Sequence, residues 1–424
     1  MIKIGVPTLK KTEDKVRLCA YVTISDVAYQ KWVNHIKGIK RYKGYEEMYH
    51  YHAGKKEVWY EVDVKYEQQL CLERSDAFVL AILYFAMITG EDIECEGVVS
   101  EEFLHNVNTY LIPLNCNERT EYGPIHIFAD STAECLNTLN KNGTGISCGV
   151  DSFDTVLTYL DKEMDEAHKL SILSVFNAGA FHGMPDMQKC IRHEMSIEEW
   201  HSSALDGFNE SCIRGKQVAE QLGLEFVSVN SNVSDLYQGA FFQSHAYRNC
   251  SCVLALQKLF SHYYYASAGE IGKPYFGLDE DASDNVNLFS SDTVRFYLSN
   301  PLKTRIEKIK YISDYDIARE NLHVCCEEIY NCGKCDKCRR TLTILDVLGK
   351  LDIFKSSFIN ISEFRKKGWK NYIWVLDQLK SDCFAKDLYE YMRKNQIKIP
   401  CMARIVHYAL PLRRLINNLK KKKW

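Results

Sequence analysis

The sequence predicts an α/β protein with a doubly wound, parallel sheet, preceded by an N-terminal α+β domain and followed by C-terminal helices. From residue 125 onward, short strand-like runs alternate with helix-like segments, which is typical of βαβ units. A glycine-rich turn at 143–152 joins one such run to its helix, where open sheets of this class bind ligands. With 424 residues, the chain is long enough for two or three domains.

Residues 1–130 are predicted to form a separate α+β domain. Strands are expected at 16–24 and 57–64, where the composition is strand-like. In the second run, apolar and polar residues also alternate with period two. A helix is expected from Asp76 to Ile88, ending at Gly90, and another should begin after Ser100. No residue constellation in this region predicts catalysis. We expect it to recognise substrate, to contact a protein or peptide partner, to form a homodimer, or to be purely structural.

Residues 131–350, which contain the glycine-rich turn and a cysteine cluster, are predicted to form the central α/β domain. Residues 351–424 are predicted to form a C-terminal helical region. Its last stretch, 413–424, is basic and predicts a solvated helix end, with contact to RNA or anionic lipid as the alternative.

Composition favours a cytoplasmic protein. The net charge of −3 does not predict a nucleic-acid partner for the chain as a whole. The 17 cysteines would fit a disulfide framework, but the N-terminus has no signal-peptide pattern, so a reducing compartment is expected. The apolar stretch at 77–89 is too short to cross a bilayer.

The turn at 143–152 predicts a phosphate site. A helix that starts after a glycine-rich turn directs backbone N–H groups at a ligand from the positive end of its dipole. The hydroxyls of Ser147 and Ser152 can add donors. The turn lacks the Gly-Lys-Ser/Thr of a Walker A loop and the spacing of a dinucleotide fingerprint. An ordinary strand-to-helix turn is the alternative.

A cysteine cluster near the end of the α/β region predicts a metal centre. Three cysteines follow Cys-x-x-Cys-x-x-Cys spacing and another lies just upstream, which favours a tetrahedral, structural Zn²⁺ site. An iron–sulfur cluster is the metal alternative. Cys326 can replace Cys325 as the fourth ligand. The expected zinc ligands are Cys325, Cys332, Cys335 and Cys338.

Ser147, Gly149, Asp151 and Ser152 match the Ser-Gly-Gly-x-Asp-Ser loop of the PP-loop ATP pyrophosphatases, with Cys148 in place of the first central glycine. Together with the cysteine cluster, this turn resembles the 7-cyano-7-deazaguanine synthase (QueC-like) branch of that superfamily over residues 125–348. Further points of similarity are Arg248-Asn249 and the Asn300-Pro301-Leu302 turn with its following helix. The resemblance implies an adenine nucleotide alpha hydrolase-like fold.

The resemblance also implies that ATP is cleaved to AMP and pyrophosphate, and that the substrate's carboxylate or carbonyl oxygen is adenylated and then replaced by nitrogen. Ser147, Asp151, Ser152 and Arg248 would act in catalysis, with Asp151 helping to position Mg²⁺. Lys303 would bind phosphate oxygens or form an ion pair. The nucleotide would be bound by Ser147, Cys148, Gly149, Val150, Asp151, Ser152, Phe176 and Asn177.

Several alternatives remain at this point. Glu270 and the acidic run 279–284 could contact metal or substrate, or the run could be a solvated loop. The nucleophile could be sulfur, as in PP-loop tRNA thiolation enzymes, with Cys148, Cys250 and Cys252 as thiols, although the last two are expected to be packed in a helix. The chain could also be a non-catalytic nucleotide-binding scaffold. The substrate is expected to be a small molecule or a modified base. The family's own substrate is not carried over, because the N-terminal and C-terminal regions are not part of the small deazaguanine enzyme.

Overall fold

The computed structural model describes residues 1–39, 53–182, 184–236, 240–272 and 283–409, and the chain divides into two compact units. Unit 1 comprises Met1–Ser147, Thr155–Ser267 and Ala282–Ser299. Unit 2 comprises Cys148–Asp154, Ala268–Asp281 and Asn300–Trp424. The predicted domain boundary near residue 130 falls inside unit 1, and the one near residue 350 falls inside unit 2.

The strands are β1 (Ile2–Ile4), β2 (Thr8–Lys11), β3 (Lys15–Ile24), β4 (Gly54–Asp63), β5 (Ile93–Cys95), β6 (Val99–Ser100), β7 (Ile127–Phe128), β8 (Ser131–Thr132), β9 (Lys141–Gly145), β10 (Ile172–Asn177), β11 (Glu225–Ser231), β12 (Phe260–Ala266) and β13 (Arg295–Ser299).

The α-helices are α1 (Asp26–Gly38), α2 (Asp76–Thr89), α3 (Glu101–Asn106), α4 (Ile112–Glu118), α5 (Val150–Tyr159), α6 (Met184–Ile191), α7 (Ile197–Leu222), α8 (Phe241–Ala255), α9 (Arg305–Ile312), α10 (Asp316–Asn321), α11 (Asp336–Val347), α12 (Ile361–Lys367), α13 (Ile373–Asp377) and α14 (Cys383–Lys394).

The main sheet lies in unit 1 and has the order β13-β12-β9-β10-β11-β4-β3-β1-β5-β7. Its first five strands are parallel, which confirms the α/β class and the largely parallel sheet. The N-terminal strands extend the same sheet, because β4 pairs antiparallel with β11. The long β3–β4 ladder is also antiparallel, so the complete sheet is mixed rather than wholly parallel.

Helix α2 is a core helix of unit 1. It ends at Gly90, which adopts a left-handed conformation (φ 63°) as a C-cap glycine does, so this prediction is confirmed. Almost every side chain of α2 is buried. The apolar stretch is therefore accounted for by a helix that is buried in the protein core. Among the described residues, no helix is long and apolar enough to span a bilayer.

The start of α3 confirms the predicted boundary but uses Ser100 differently. Helix α3 begins at Glu101, yet the Ser100 side chain makes no capping bond. Instead, the Ser100 hydroxyl donates to the buried Asp76 carboxylate, which also accepts from Ser100 N (2.8 Å) and Gln257 Nε2 (2.7 Å). Three segments of unit 1 are thereby joined at one buried carboxylate.

Unit 2 is built from α9–α14 around an aromatic core. Phe354, Phe358, Phe364 and Phe384 are buried in it. Trp374 is also buried, and its Nε1 donates to Thr343 Oγ1 at 3.2 Å. Helices α12–α14 therefore occupy the region where the sequence predicts them, whereas the basic end at 413–424 lies outside the described residues.

Candidate functional site

The glycines that precede the turn serve packing in the sheet. Gly143 lies in β9, where a built Cβ would be 2.4 Å from Phe260 Cε1, so only glycine fits beside this ring. At Gly145, also in β9, a Cβ would lie 3.4 Å from the Tyr263 hydroxyl. The glycine-rich stretch thus contributes two strand positions and a shorter turn at 146–149.

The turn itself holds one strained residue. Cys148, at the position where the PP-loop motif has glycine, adopts φ +58° in the left-handed region and is 1% exposed. Ser147 beside it is exposed. The Cys148 side chain is therefore accommodated in the turn at the expense of backbone strain.

Helix α5 starts directly after the turn. Phe153 N donates to Gly149 O at 3.0 Å, and the Ser152 hydroxyl donates to the same carbonyl at 3.1 Å. Val150 and Ser152 are buried. This is a regular helix start, and its first-turn N–H groups are directed along the helix axis towards the N-terminal end, as an anion site requires.

Two buried cations meet the Asp151 carboxylate in the first turn of α5. Arg305 Nη2 lies 2.9 Å from Asp151 Oδ2, and Lys308 Nζ lies 3.4 Å from Oδ1. The side chains of Arg305 and Lys308 are 10% and 1% exposed. Burial lowers the pKa of Lys308, and the charge of Asp151 opposes that shift. Both cations come from α9, to which the sequence assigned no ligand.

A third cation is held next to this pair by an aromatic ring. Arg340 Cζ lies 3.9 Å from the centroid of Phe384, and Arg305 Cζ lies 5.0 Å from the same centroid. Arg340 follows the cysteine cluster on α11, and Phe384 is on α14. The C-terminal helices therefore help to fix the cations, a role that no local sequence pattern reveals.

Lys303 forms the ion pair that was the alternative to phosphate binding. Its Nζ lies 2.9 Å from Asp154 Oδ1, and Asn300 Nδ2 donates to the other carboxylate oxygen. Asp154 is wholly buried, and Lys303 also lies 4.2 Å from the centroid of Tyr311. This arrangement ties α5 to the Asn300 turn within unit 2.

In unit 1, the predicted adenine-binding residues lie at the carboxyl end of β10. Asn177 Nδ2 donates to Asn230 Oδ1 at 2.8 Å, and the Ser231 hydroxyl donates to Asn177 O at 2.7 Å. Phe176 stacks on Tyr263 with the ring centroids 6.0 Å apart. Together these contacts fix the position of the strand end.

Arg248 is buried beside the segment that follows β10. Gly179 has φ +106°, and a Cβ built there would be 2.7 Å from Arg248 Nη1, so the guanidinium packs against a bare backbone. The structure thus brings the predicted residues Asn177 and Arg248 into one region of unit 1.

A histidine pair in the same unit was missed by the sequence analysis. His182 Nε2 lies 3.1 Å from His201 Nδ1, and the His182 ring contacts Trp200 edge-on at 5.0 Å. Burial lowers the pKa of His182 to about 3, and the charges of His201 and Arg248 act in the same direction. Burial also raises the pKa of Asp235, partly offset by His201 and by Lys56. Isolated histidines in a sequence carry no spacing signal that would have revealed this group.

The four predicted zinc ligands converge in unit 2. The Sγ atoms of Cys325, Cys332, Cys335 and Cys338 all lie within 4.8 Å of one another, and those of Cys325 and Cys335 are 3.9 Å apart. Zn–S bonds of about 2.3 Å in a tetrahedron give sulfur–sulfur separations of about 3.8 Å, so the donor set fits Zn²⁺. Cys326 is exposed, which favours Cys325 as the fourth ligand.

Backbone geometry around the cysteines suits thiolates. Cys335 N lies 3.3 Å from Cys332 Sγ, Cys338 N lies 3.4 Å from Cys335 Sγ, and Gly333 supplies the left-handed turn with φ +68°. N–H groups aimed at sulfur stabilise its negative charge. Four protein ligands complete a tetrahedral shell, so the expected metal role is structural.

Asn331 organises the approach to this cluster and was not identified from the sequence. Its side chain accepts from Val324 N (2.8 Å) and Cys325 N (3.1 Å) and donates to Leu322 O (2.7 Å). Two residues before Cys325, His323 N donates to Cys148 O at 2.8 Å. The segment leading into the metal centre therefore contacts the turn directly.

The remaining predicted residues have different outcomes. Cys250 and Cys252 are wholly buried in α8, as expected for packed residues, and burial raises the pKa of Cys252 to about 12. Glu270 and Asp284 are half-buried. Asp279, Glu280 and Asp281 lie outside the described residues.

Comparison with protein-family models, with curated proteins and with solved structures gives no match to this chain. A function for this chain is therefore inferred from the geometry of the turn, the cations and the cysteine cluster, together with the motif resemblance in its sequence.

Proposed function

We propose that the chain is an ATP-dependent enzyme that cleaves ATP to AMP and pyrophosphate, adenylating a carboxylate or carbonyl oxygen that nitrogen then replaces. The observation that carries the proposal is the meeting of Arg305 and Lys308 at Asp151, in the first turn of a helix that follows a PP-loop-like turn. The proposal extends the resemblance noted in the sequence.

The chemistry requires charge stabilisation on the leaving pyrophosphate. When the substrate oxygen attacks the α-phosphorus, the bond to the bridging oxygen breaks and negative charge accumulates on the departing group. A helix N-terminus with two cations beside it supports this step, because donors and positive charge are already in place before reaction. In this assignment, Arg305 and the turn N–H groups bind pyrophosphate oxygens, and Lys308, whose side chain is 1% exposed, adds positive charge without contacting the ligand.

For Asp151 the contacts support a further role beside the expected positioning of Mg²⁺. Its two carboxylate oxygens face Arg305 and Lys308, so in this arrangement it orients the two cations. Mg²⁺, when it accompanies the nucleotide, would neutralise phosphate charge, and the part of Asp151 in positioning it stays a prediction from the resemblance. Adenine recognition by Phe176 and Asn177 stays a prediction from the resemblance.

Nitrogen is favoured over sulfur as the nucleophile because the relevant thiols are covered. Cys148 is 1% exposed, and Cys250 and Cys252 are wholly buried. A sulfur-carrying thiol needs to be accessible and readily ionised, whereas burial raises the pKa of both α8 thiols. A scaffold that only binds nucleotide is the remaining alternative, and product analysis separates it from an enzyme.

The test is incubation of the purified protein with ATP, Mg²⁺ and a panel of carboxylates and ammonium, with separation of the nucleotide products. We expect AMP and pyrophosphate in equal amounts. Arg305→Met and Lys308→Met should lower turnover by about 100-fold or more, the effect of removing a preorganised charge stabiliser. Lys310→Met is the matched control, since Lys310 is an exposed residue of the same helix. Formation of ADP and phosphate, or no binding of ATP by calorimetry, would contradict the proposal.

A further inference from the structure

The near-neutral net charge of the chain conceals a strong separation of charge. Residues 1–300 contain 26 Lys and Arg but 42 Asp and Glu, a net charge of −16, whereas residues 301–424 contain 27 and 14, a net charge of +13. All of the second segment belongs to unit 2. A region this basic attracts polyanions, and charge asymmetry along a chain is typical of proteins that bind nucleic acid or membranes.

Part of this charge is concentrated in a short, ordered segment that we term the basic turn, Arg365-Lys366-Lys367-Gly368-Trp369-Lys370. Its four cations are exposed, and Trp369 between them is half-buried. Lys370 Nζ lies 5.8 Å from the centroid of the Trp369 ring. Within the described part of the chain, Arg365 is paired with Asp352, and the three lysines have no ion-pair partner.

The backbone of the basic turn is held in place from within unit 2. Gly368, with φ +51° and ψ −125°, reverses the chain at the end of α12, a conformation that other residues rarely adopt. The buried Asn371 donates through Nδ2 to Phe364 O at 2.6 Å, and its backbone carbonyl accepts from Thr343 Oγ1 at 3.4 Å. The cations are therefore presented on a fixed loop, which reduces the entropy lost on binding.

Helix capping accounts for only part of this composition. Cations in the last turn of a helix interact favourably with its dipole, which rationalises Arg365, Lys366 and Lys367. The helix dipole explains neither Lys370, which lies beyond α12, nor the half-buried indole of Trp369 among the cations. Aromatic rings interleaved with lysines are the composition that binds phosphates and stacks unpaired bases.

We propose that unit 2 binds single-stranded nucleic acid through the basic turn. The lysines would contact phosphates and Trp369 would stack on a base. The exposed Lys334 and Lys337 of the cysteine segment add positive charge in the same unit, and small zinc modules are used to bind single strands. This proposal is independent of ATP chemistry and would stand if the chain had no pyrophosphatase activity.

The test is fluorescence anisotropy with labelled single-stranded RNA and DNA of about 20 nucleotides and mixed sequence, long enough to cover one binding site. Affinity should fall steeply between about 50 and 200 mM KCl. The triple variant Lys366→Glu, Lys367→Glu, Lys370→Glu should bind at least tenfold more weakly. Its log–log salt slope should be shallower by about 2, because three phosphate contacts contribute about 0.7 each on a single strand.

A second triple variant, Lys37→Glu, Lys65→Glu, Lys162→Glu, makes the same change of net charge at exposed lysines of unit 1 and should retain binding. Trp369→Tyr, which keeps an aromatic face, should bind more tightly than Trp369→Ala at an unchanged salt slope, with circular dichroism verifying the fold of both. The proposal would be overturned by equal losses in the two triple variants. It would also be overturned if neither RNA nor DNA binds, and binding of phosphatidylserine vesicles in that case would identify a lipid surface. Loss of either RNA or DNA binding in the basic-turn variant alone supports it.

Discussion

Replacement of Asp151 by Asn should destabilise the protein strongly, because the carboxylate compensates two buried cations. At an effective dielectric constant of about 20, the attraction across the 3.4 Å between Asp151 Oδ1 and Lys308 Nζ is about 5 kcal/mol before desolvation. Removing one partner of a buried ion pair typically costs about 3–5 kcal/mol. The Asp151 side chain is 23% exposed, so we expect a loss near 3 kcal/mol.

The companion change, Lys308→Met, removes the deeply buried ammonium and keeps most of the side-chain volume. An apolar replacement of a buried charge avoids its desolvation, so this variant should lie within about 1 kcal/mol of the wild type. The double variant Asp151→Asn, Lys308→Met should therefore recover about 2 kcal/mol relative to Asp151→Asn alone. Asp316→Asn is a control, since its 82% exposed carboxylate pairs with Arg319 on the surface and should contribute less than about 0.5 kcal/mol.

The assay is urea unfolding followed by circular dichroism and by tryptophan fluorescence, with coincident transitions required before free energies are compared. Adding pyrophosphate should raise the midpoint of Asp151→Asn more than that of the wild type, because the anion can replace the missing carboxylate between Arg305 and Lys308. A loss below 1 kcal/mol in Asp151→Asn, or a coupling to Lys308 near zero, would refute this account of the site.

Three further changes test other parts of the structure. Burial lowers the pKa of His182 from 6.5 to about 3, so its contribution to stability is complete above pH 6.5 and is lost as the pH falls towards 3. Between pH 7 and pH 5, the wild type should lose about 2 kcal/mol that His182→Gln does not lose in urea unfolding; parallel pH profiles would contradict this. Cys148→Gly should be about 1 kcal/mol more stable than Cys148→Ala in thermal unfolding, because the left-handed φ of +58° strains alanine but not glycine; equal stabilities would argue against strain in the turn. Elemental analysis should find one zinc per chain, and Cys335→Ser should lose zinc and unfold at a lower temperature, since metal binding and folding are coupled; a stable, zinc-free variant would exclude a structural metal.

Local patterns predicted much of the secondary structure. The end of α2 at Gly90, the start of α3 after Ser100 and the alternation of strands and helices after residue 125 all depend on residues close in sequence. The zinc-ligand set was predicted for the same reason, because Cys332, Cys335 and Cys338 lie within one short segment. Only their positions in space favour Cys325 over Cys326 as the fourth ligand.

The pairing of strands in the sheet and the packing role of Gly143 could not be predicted from the sequence. The period-two run in β4 predicts a strand but does not say which strand it pairs with, and β4 joins the parallel strands through β11. Gly143 was assigned to a phosphate turn, yet its lack of a side chain is explained by the Phe260 ring packed against it.

The sequence by itself determined the elements, the thiol cluster and the glycine-rich turn before α5, since each is encoded by residues that lie close together in the chain. Only the tertiary structure decided the partners of Asp151, because Lys308 lies 157 residues away and reaches it through the packing of α9 against the start of α5. The same holds for Arg340 on the Phe384 ring and for the buried histidine pair. Contacts between residues so far apart in the chain leave no periodic pattern in the sequence, so they could not be predicted from it and are known only from the folded structure.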